Sequence, residues 1–295
     1  MERVTAEIGR FVARSEFRDM DEANAAIQER FCGSMDELPS TASTPLEKAQ
    51  DVMYQAFEAR GRRRVQLARK ALELSPDCAD AYVLLAEQSV DPEAMRTLYE
   101  QAIAAGERAL GPKIFEEEAG HFWGITETRP YMRARLGLAT TLEGLDRTDE
   151  AVGHYQELLR LNPDDNQGVR DILLPLFLET GRDAEAGALL RQFEDDGTAI
   201  WAYGWALWTF RQERDSQAAR KRLQEAIRAN RHAPDYLTGE VEMPEMLPES
   251  YAVGSEEEGI LCADALWDAW ETTSGALRWL EDHSLKSKSK KPRRR

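Results

Sequence analysis

Apolar residues return at three- and four-residue spacing along nearly the whole chain, and β-branched runs are scarce, so the pattern predicts helices from end to end. The clearest stretch is 129–165, RPYMRARLGLATTLEGLDRTDEAVGHYQELLRLNPDD. One helix there sets Leu138, Ala139 and Leu142 on a face, and the next sets Ala151, Tyr155 and Leu158. Pro163 has no N–H to donate and ends the second helix. Ala139 and Ala151 are small where two helices must approach closely, and Tyr155 and Leu142 fill the space beside them. One hairpin of this size cannot bury its apolar face alone, whereas stacked neighbours share a continuous core.

The same grammar recurs in order along the chain. Residues 1–33 read as two helices, the first striped by Ile8, Phe11 and Val12, the second capped by Asp19 or Asp21 and ended by Gly33. Residues 34–45 are turn-rich and read as a linker. Helical pairs follow at 46–76 (Met53, Tyr54 and Phe57 inward), 77–111 (Tyr82, Leu85, Ala86), 166–197 (Leu173, Leu174, Phe177, then Ala186, Leu190, Phe193) and 198–234 (Tyr203, Leu207, Phe210). Pro175 falls inside a helix and predicts a kink. Pro234, Pro244 and Pro248 make 235–252 an extended segment, and 256–283 returns to helix around a Gly275 break. The expected domains are a cap and linker at 1–44, a repeat stack at 45–234, an extended segment with a second helical cap at 235–283, and an unstructured basic tail at 284–295.

Residues 112–129 break the period and read as an insertion between repeats. Glu118 and His121 have the i, i+3 spacing that sets two metal ligands on one helix face, but the motif occurs once and a closed site needs more ligands. The expectation is no metal and no cofactor; His121, Phe122 and Trp123 dock the insertion onto the stack, and His121 and Trp123 are also contact candidates. The arginines at 60 and 62–64 form a turn cluster that can bind an anion or simply be solvated.

Composition narrows the function classes. No apolar run approaches the length of a membrane span, and the N-terminal residues lack a signal-peptide core. Three scattered cysteines, Cys32, Cys78 and Cys262, fit a reducing compartment, and the expected location is the cytoplasm. Net charge is −16, yet Lys286, Lys288, Lys290, Lys291, Arg293, Arg294 and Arg295 crowd the last ten residues. An acidic body repels nucleic acid while such a tail attracts it.

The Ala/aromatic/Pro spacing of 129–165 and its recurrences resemble the tetratricopeptide repeat (TPR), which implies an all-α, right-handed α-solenoid of about five hairpins capped at both ends. More of the chain resembles bacterial TPR proteins related to the suppressor-of-tumorigenicity-7 family. The stretches are FRDMDEANAAIQ, ARKALELSPDCADAYVLLAE, the run from GHFWGITETRP to GVRDILLP, and LPESYAVGSEEEGILCADALWDAWETTSGALRWL. That resemblance implies the fold and a binding role. Some TPR domains hold chaperone C-terminal carboxylates through Lys and Asn at groove-facing registers; here those registers hold Arg133, Gly137, Thr140, Asp171 and Pro175, a different set.

The leading expectation is therefore a non-catalytic scaffold binding a peptide or protein in its concave groove, with Arg133, Thr140 and Asp171 as groove candidates. Trp201, Trp205 and Trp208 join them because their spacing puts them on a face apart from the Tyr203/Leu207/Phe210 core stripe. Their expected cover is either residues 240–252, with Met243, Met246, Leu247 and Tyr251, or an external peptide anchored on Trp205. One alternative is a nucleic-acid- or ribosome-associated adaptor using the tail. Another is an uncharacterised enzyme, although no nucleophile elbow, P-loop or dinucleotide fingerprint is present in the sequence.

Overall fold

The computed structural model describes residues 2–31 and 40–288, with side chains to Ser284. Cys32, Gly33, most of the linker and Lys290 to Arg295 lie outside the described residues, as do the side chains of Lys286 and Lys288. All regular structure among the described residues is helical: sixteen α-helices and two 3-10 turns. The chain divides into two compact units, Met1–Gln167 and Gly168–Arg295.

Unit 1 holds three hairpins: α3 (Pro45–Glu58) with α4 (Arg62–Leu74), α5 (Ala79–Glu87) with α6 (Pro92–Leu110), and α8 (Arg129–Gly144) with α9 (Thr148–Leu161). The first helix of each packs on the first helix of the next, α3 on α5 and α5 on α8, while α4 and α6 touch the first helix that follows them. This is how TPR hairpins bury the face that none can bury alone. Ala139, Ala151 and Tyr155 are fully buried, as the spacing required. Between α8 and α9, Asp146 takes a left-handed φ of 58°. Its amide and that of Arg147 donate to Glu143 O (3.0 Å) and Leu142 O (2.9 Å), closing the end of α8. The start of α3 is fixed by a capping box: Thr44 accepts from the Glu47 amide and the Glu47 carboxylate accepts from the Thr44 amide.

Two helices precede the hairpins, α1 (Glu2–Ala13) and α2 (Met20–Phe31), the latter capped by Asp19 Oδ1 on the Glu22 amide at 2.9 Å. Phe11 meets Phe17 and Phe31 edge-on. The insertion at 112–129 becomes a one-turn helix, α7 (Ile114–Glu117), and the two 3-10 turns Phe122–Gly124 and Thr126–Thr128.

Unit 2 holds two hairpins, α10 (Val169–Glu179) with α11 (Asp183–Gln192) and α12 (Ala199–Glu213) with α13 (Gln217–Ala229), followed by α14 (Ala233–Leu237), α15 (Glu256–Thr272) and α16 (Ala276–Lys288). α10 runs through Pro175 as one helix. All five expected hairpins form, three in one unit and two in the other. α16 continues helical to Lys288, past residue 284, where composition alone predicted no structure.

Candidate functional site

The side of unit 1 formed by the first helices of its hairpins carries α1. Helix α1 packs on the 126–128 turn and is tied to the hairpins by ion pairs. Glu2 meets Arg133 Nη1 at 3.1 Å, Arg10 Nη2 meets Asp51 at 2.8 Å, and Arg10 Nη1 meets Glu7 at 2.7 Å. Just beyond its end, Arg14 reaches Glu47 at 2.6 Å. Arg133 also grips Asp80 with two nitrogens, at 2.9 and 2.8 Å, and Asp80 is fully buried. Burial works to lower the Arg133 pKa, but the Asp80 and Glu2 carboxylates outweigh it and the net shift is upward. Its guanidinium lies 5.9 Å from the Phe57 ring centre. Glu47 is held down to about 2: partial burial opposes ionisation, and the Thr44 and Ser43 amides with Arg14 more than compensate.

Beneath α1 lies a cavity of about 140 Å³. Ala6 and Arg10 of α1 form its roof, and Tyr54 of α3, Ala79 of α5, Gly106 of α6 and Tyr131 of α8 are buried walls. Ala109 and Glu127 also line it and are exposed, so they mark its mouth. Tyr131 is locked from behind by Phe115 and Phe122, with ring centres 5.0 and 6.3 Å away. No element contributes more than a few of these walls, and the spacing within any one helix does not announce them.

The other candidates in unit 1 are dispersed. Thr140 is exposed at the end of α8 and lies 3.3 Å from the Tyr155 hydroxyl, on the α9 side. Gly137, expected to face a groove, instead faces Tyr99 of α6: a Cβ there would fall 2.2 Å from the Tyr99 ring. In the insertion Phe122 is the docking residue, fully buried, while His121 is exposed. Trp123 is half-buried beneath the Arg129 guanidinium, 5.4 Å from its ring centre. The Glu118/His121 spacing needs a continuous helix, but α7 stops at Glu117 and Gly120 takes φ 97°, so the two do not share a helix face.

In unit 2 the indoles are packed against neighbouring helices. Trp201 is fully buried and meets Phe193 edge-on at 5.9 Å. Trp208 donates its Nε1–H to Asp183 O at 2.7 Å, and its ring covers Gly187 of α11. Trp205 stands perpendicular to Trp208 at 5.6 Å under the Arg222 guanidinium of α13, 4.2 Å away. Thus α11 and α13 cover the stripe, and Trp201 is inaccessible to any partner while unit 2 is folded. The segment expected to fold over these rings does not: Met246 is 81% exposed and Leu247 and Tyr251 are also exposed. A helix of this apolarity is buried on more than one side, and α15 supplies the second cover, lying along α10 and α12. Trp270 of α15 meets Tyr203, and Trp279 of α16 stacks on Phe210 at 4.6 Å. Asp171 sits in the first turn of α10, 3.9 Å from Arg170.

Glu258 of α15 is a residue the sequence reading missed. It is 3% exposed and accepts from the Ala199 amide at 2.9 Å, Asn230 Nδ2 at 3.0 Å and the Gly254 amide at 2.6 Å. It thereby caps α12, whose Thr198 makes no side-chain cap. The acidic run Glu256–Glu258 reads as a solvated helix start, and nothing nearby in sequence marks its third residue as buried. Arg211 ties α12 to Ala269 O at 3.0 Å, Thr273 Oγ1 at 2.8 Å and Asp183 at 3.0 Å. Among the described residues no helix is long and apolar enough to cross a membrane.

Hairpins stacked in this way, with small residues at the contacts and aromatics beside them, define a TPR-type helical-repeat protein. Within that class the chain belongs to the ST7 family: the family described as "ST7 protein" matches residues 16–284. It is similar to "Suppressor of tumorigenicity 7 protein-like" of Bos taurus, 28% identical over 267 residues, covering 80% of this chain and 47% of that protein. The Rattus norvegicus counterpart is 29% identical, covering 80% and 46%. "Protein ST7 homolog" of Caenorhabditis elegans is 26% identical over 268 residues, covering 78% and 49%. The chain spans about half the length of the curated relatives it matches. Among solved structures, it is similar to YrrB, described as a TPR protein with an unusual peptide-binding site, at 21% identity and a TM-score of 0.43, covering 70% of this chain and 90% of that one.

Proposed function

We propose that the chain is a non-catalytic protein-interaction scaffold whose binding face is the side of unit 1 now covered by α1. The observation that carries this reading is how α1 is held. Ion pairs at both ends fasten it, and a cavity of about 140 Å³ remains beneath it. Packed protein interiors leave few voids larger than a water molecule. A helix resting on charged contacts over unfilled space is an occupant that a better-fitting segment can displace. On the corresponding side of unit 2, α15 is seated by buried contacts, with Trp270 and Glu258 packed against α12; the opening there, lined by Arg211, Arg214 and Thr272, lies at the helix ends.

The non-catalytic part of the reading is supported by what the buried charges do. Arg133 with Asp80, Arg10 with Asp51, and Glu258 hold helices together. The cytoplasm is the proposed location, since Cys78 and Cys262 are free, buried thiols, and burial pushes Cys78 up to about 12.

The test uses α1 as the probe. A labelled peptide of residues 1–16 is titrated onto a chain lacking them. Saturable binding is expected, at least 10-fold weaker at 0.5 M than at 0.05 M salt and weakened again by Asp51→Asn. Binding that ignores both changes, from a chain that still folds, overturns the assignment of this face.

A further inference from the structure

We infer that the cavity under α1 is a pocket for the amino-terminal residue of a partner chain: a bulky apolar first side chain enters it, and Glu127 at the mouth receives the α-ammonium. This rests on the reading of unit 1 as the binding face and concerns its state with α1 seated, since Ala6 and Arg10 of α1 roof the pocket. Three features carry it.

The first is size and lining. About 140 Å³ is close to the ~150 Å³ of a cavity known to accept benzene. The buried surface is built from Ala6, Ala79, Gly106 and the two tyrosines, 54 and 131, with the Arg10 guanidinium, paired to Glu7 and Asp51, in the roof. A Phe or Leu side chain fits that volume and that polarity.

The second is which polar groups remain unspent. Arg10 is committed to Glu7 and Asp51, Glu47 to Arg14 and the α3 cap, Asp77 to Arg108, and Gln50 to Asp80. Glu127 makes no hydrogen bond or ion pair among the described residues. The Tyr54 hydroxyl, in a residue only 7% exposed, likewise has no hydrogen-bond partner. Once the committed pairs are set aside, the Glu127 carboxylate and the Tyr54 and Thr126 hydroxyls are the lining groups without a partner among the described residues. All three accept hydrogen bonds from an ammonium, and the carboxylate also supplies its counter-charge.

The third is the order of these groups. The charge stands at the mouth and the apolar surface lies inside. A lysine side chain carries its charge at the far end and would bring an ammonium toward the Arg10 guanidinium of the roof, where the lining carboxylates Glu47 and Asp77 are already paired to Arg14 and Arg108, a costly arrangement. A chain's first residue carries its ammonium two bonds from an apolar side chain, which matches mouth and interior. An acidic first residue would set its carboxylate against Glu127 and is excluded.

The experiment titrates the full chain, followed by amide and tyrosine-ring NMR shifts, with four probes: phenethylamine, phenethyl alcohol, the tetrapeptide amide Phe-Ala-Ala-Ala, and its N-acetylated form. Phenethylamine is expected to bind at least 10-fold more tightly than the alcohol, and the free peptide at least 10-fold more tightly than the acetylated one. Glu127→Gln, at an exposed position that leaves the fold intact, should erase both ratios. Ala109→Trp should block all four probes at the mouth. Equal binding of amine and alcohol, or ratios that survive Glu127→Gln, overturns the proposal. Tight phenethylamine with no binding of the free peptide overturns the partner-terminus assignment. Failure here with the α1 peptide still binding in trans removes this pocket and leaves the scaffold face standing; probe binding with no α1 binding in trans overturns the scaffold face and with it the partner-terminus assignment of the pocket.

Discussion

Glu258→Ala isolates the contact that fastens α15 to the hairpins of unit 2. The wild-type carboxylate satisfies three donors, the Ala199 amide, Asn230 Nδ2 and the Gly254 amide, within a site where Glu258 and Asn230 are 3% and 1% exposed. Each buried donor left without a partner costs about 1–3 kcal/mol. Water can reach the Gly254 side, so the lower half of the summed range of about 3–9 kcal/mol applies, about 3–6 kcal/mol, in line with the loss on breaking buried charged networks. Loss of the α12 cap is part of this figure. Six of the seven tryptophans lie in unit 2, so tryptophan fluorescence during urea unfolding follows this unit. Glu258→Gln retains an acceptor oxygen and should lose roughly half as much. A Glu258→Ala change below about 0.5 kcal/mol, the range of an ordinary surface substitution, would refute the account of α15 as an integral, capped cover.

Arg133→Met should cost about 3–5 kcal/mol, because it strands the fully buried Asp80; far-UV circular dichroism during denaturation measures it. Gly137→Ala pushes a methyl into the Tyr99 ring and should lose about 1–3 kcal/mol, read as a lowered melting temperature. Glu47 has a lowered folded pKa, so its contribution is present above the unfolded value near 4.5 and is lost as pH falls toward about 2. Acid titration should therefore loosen the α3 start and the Arg14 contact within that window, and Glu47→Gln should flatten the response.

What could be read in the sequence follows from the range of the interactions. Ala139, Ala151 and Tyr155 announce a hairpin because partners within about 20 residues meet at fixed helical spacing. The tryptophan stripe of α12 was visible as a stripe, but what covers it was not. Indoles have the same pattern whether the cover is the chain's own α11 and α13 or a partner. Glu258 lies 59 residues from the amide it caps, and no periodicity spans that distance. The cavity under α1 is assembled from residues between 6 and 131, so no single segment carries its signature. The Glu118/His121 spacing carries no signal for the opposite reason: it is meaningful only on a helix, and the chain turns at Gly120.

The most direct test of α1 as a displaceable occupant is native-state hydrogen exchange of the full chain at low and high salt. If ion pairs chiefly hold α1 over unfilled space, its amides should exchange at least 100-fold faster than those of α8, and faster still at 0.5 M salt, while α8 stays unchanged. Exchange of α1 at the α8 rate, with no response to salt, would mean that α1 is part of the core of unit 1, and the proposed binding face would not exist.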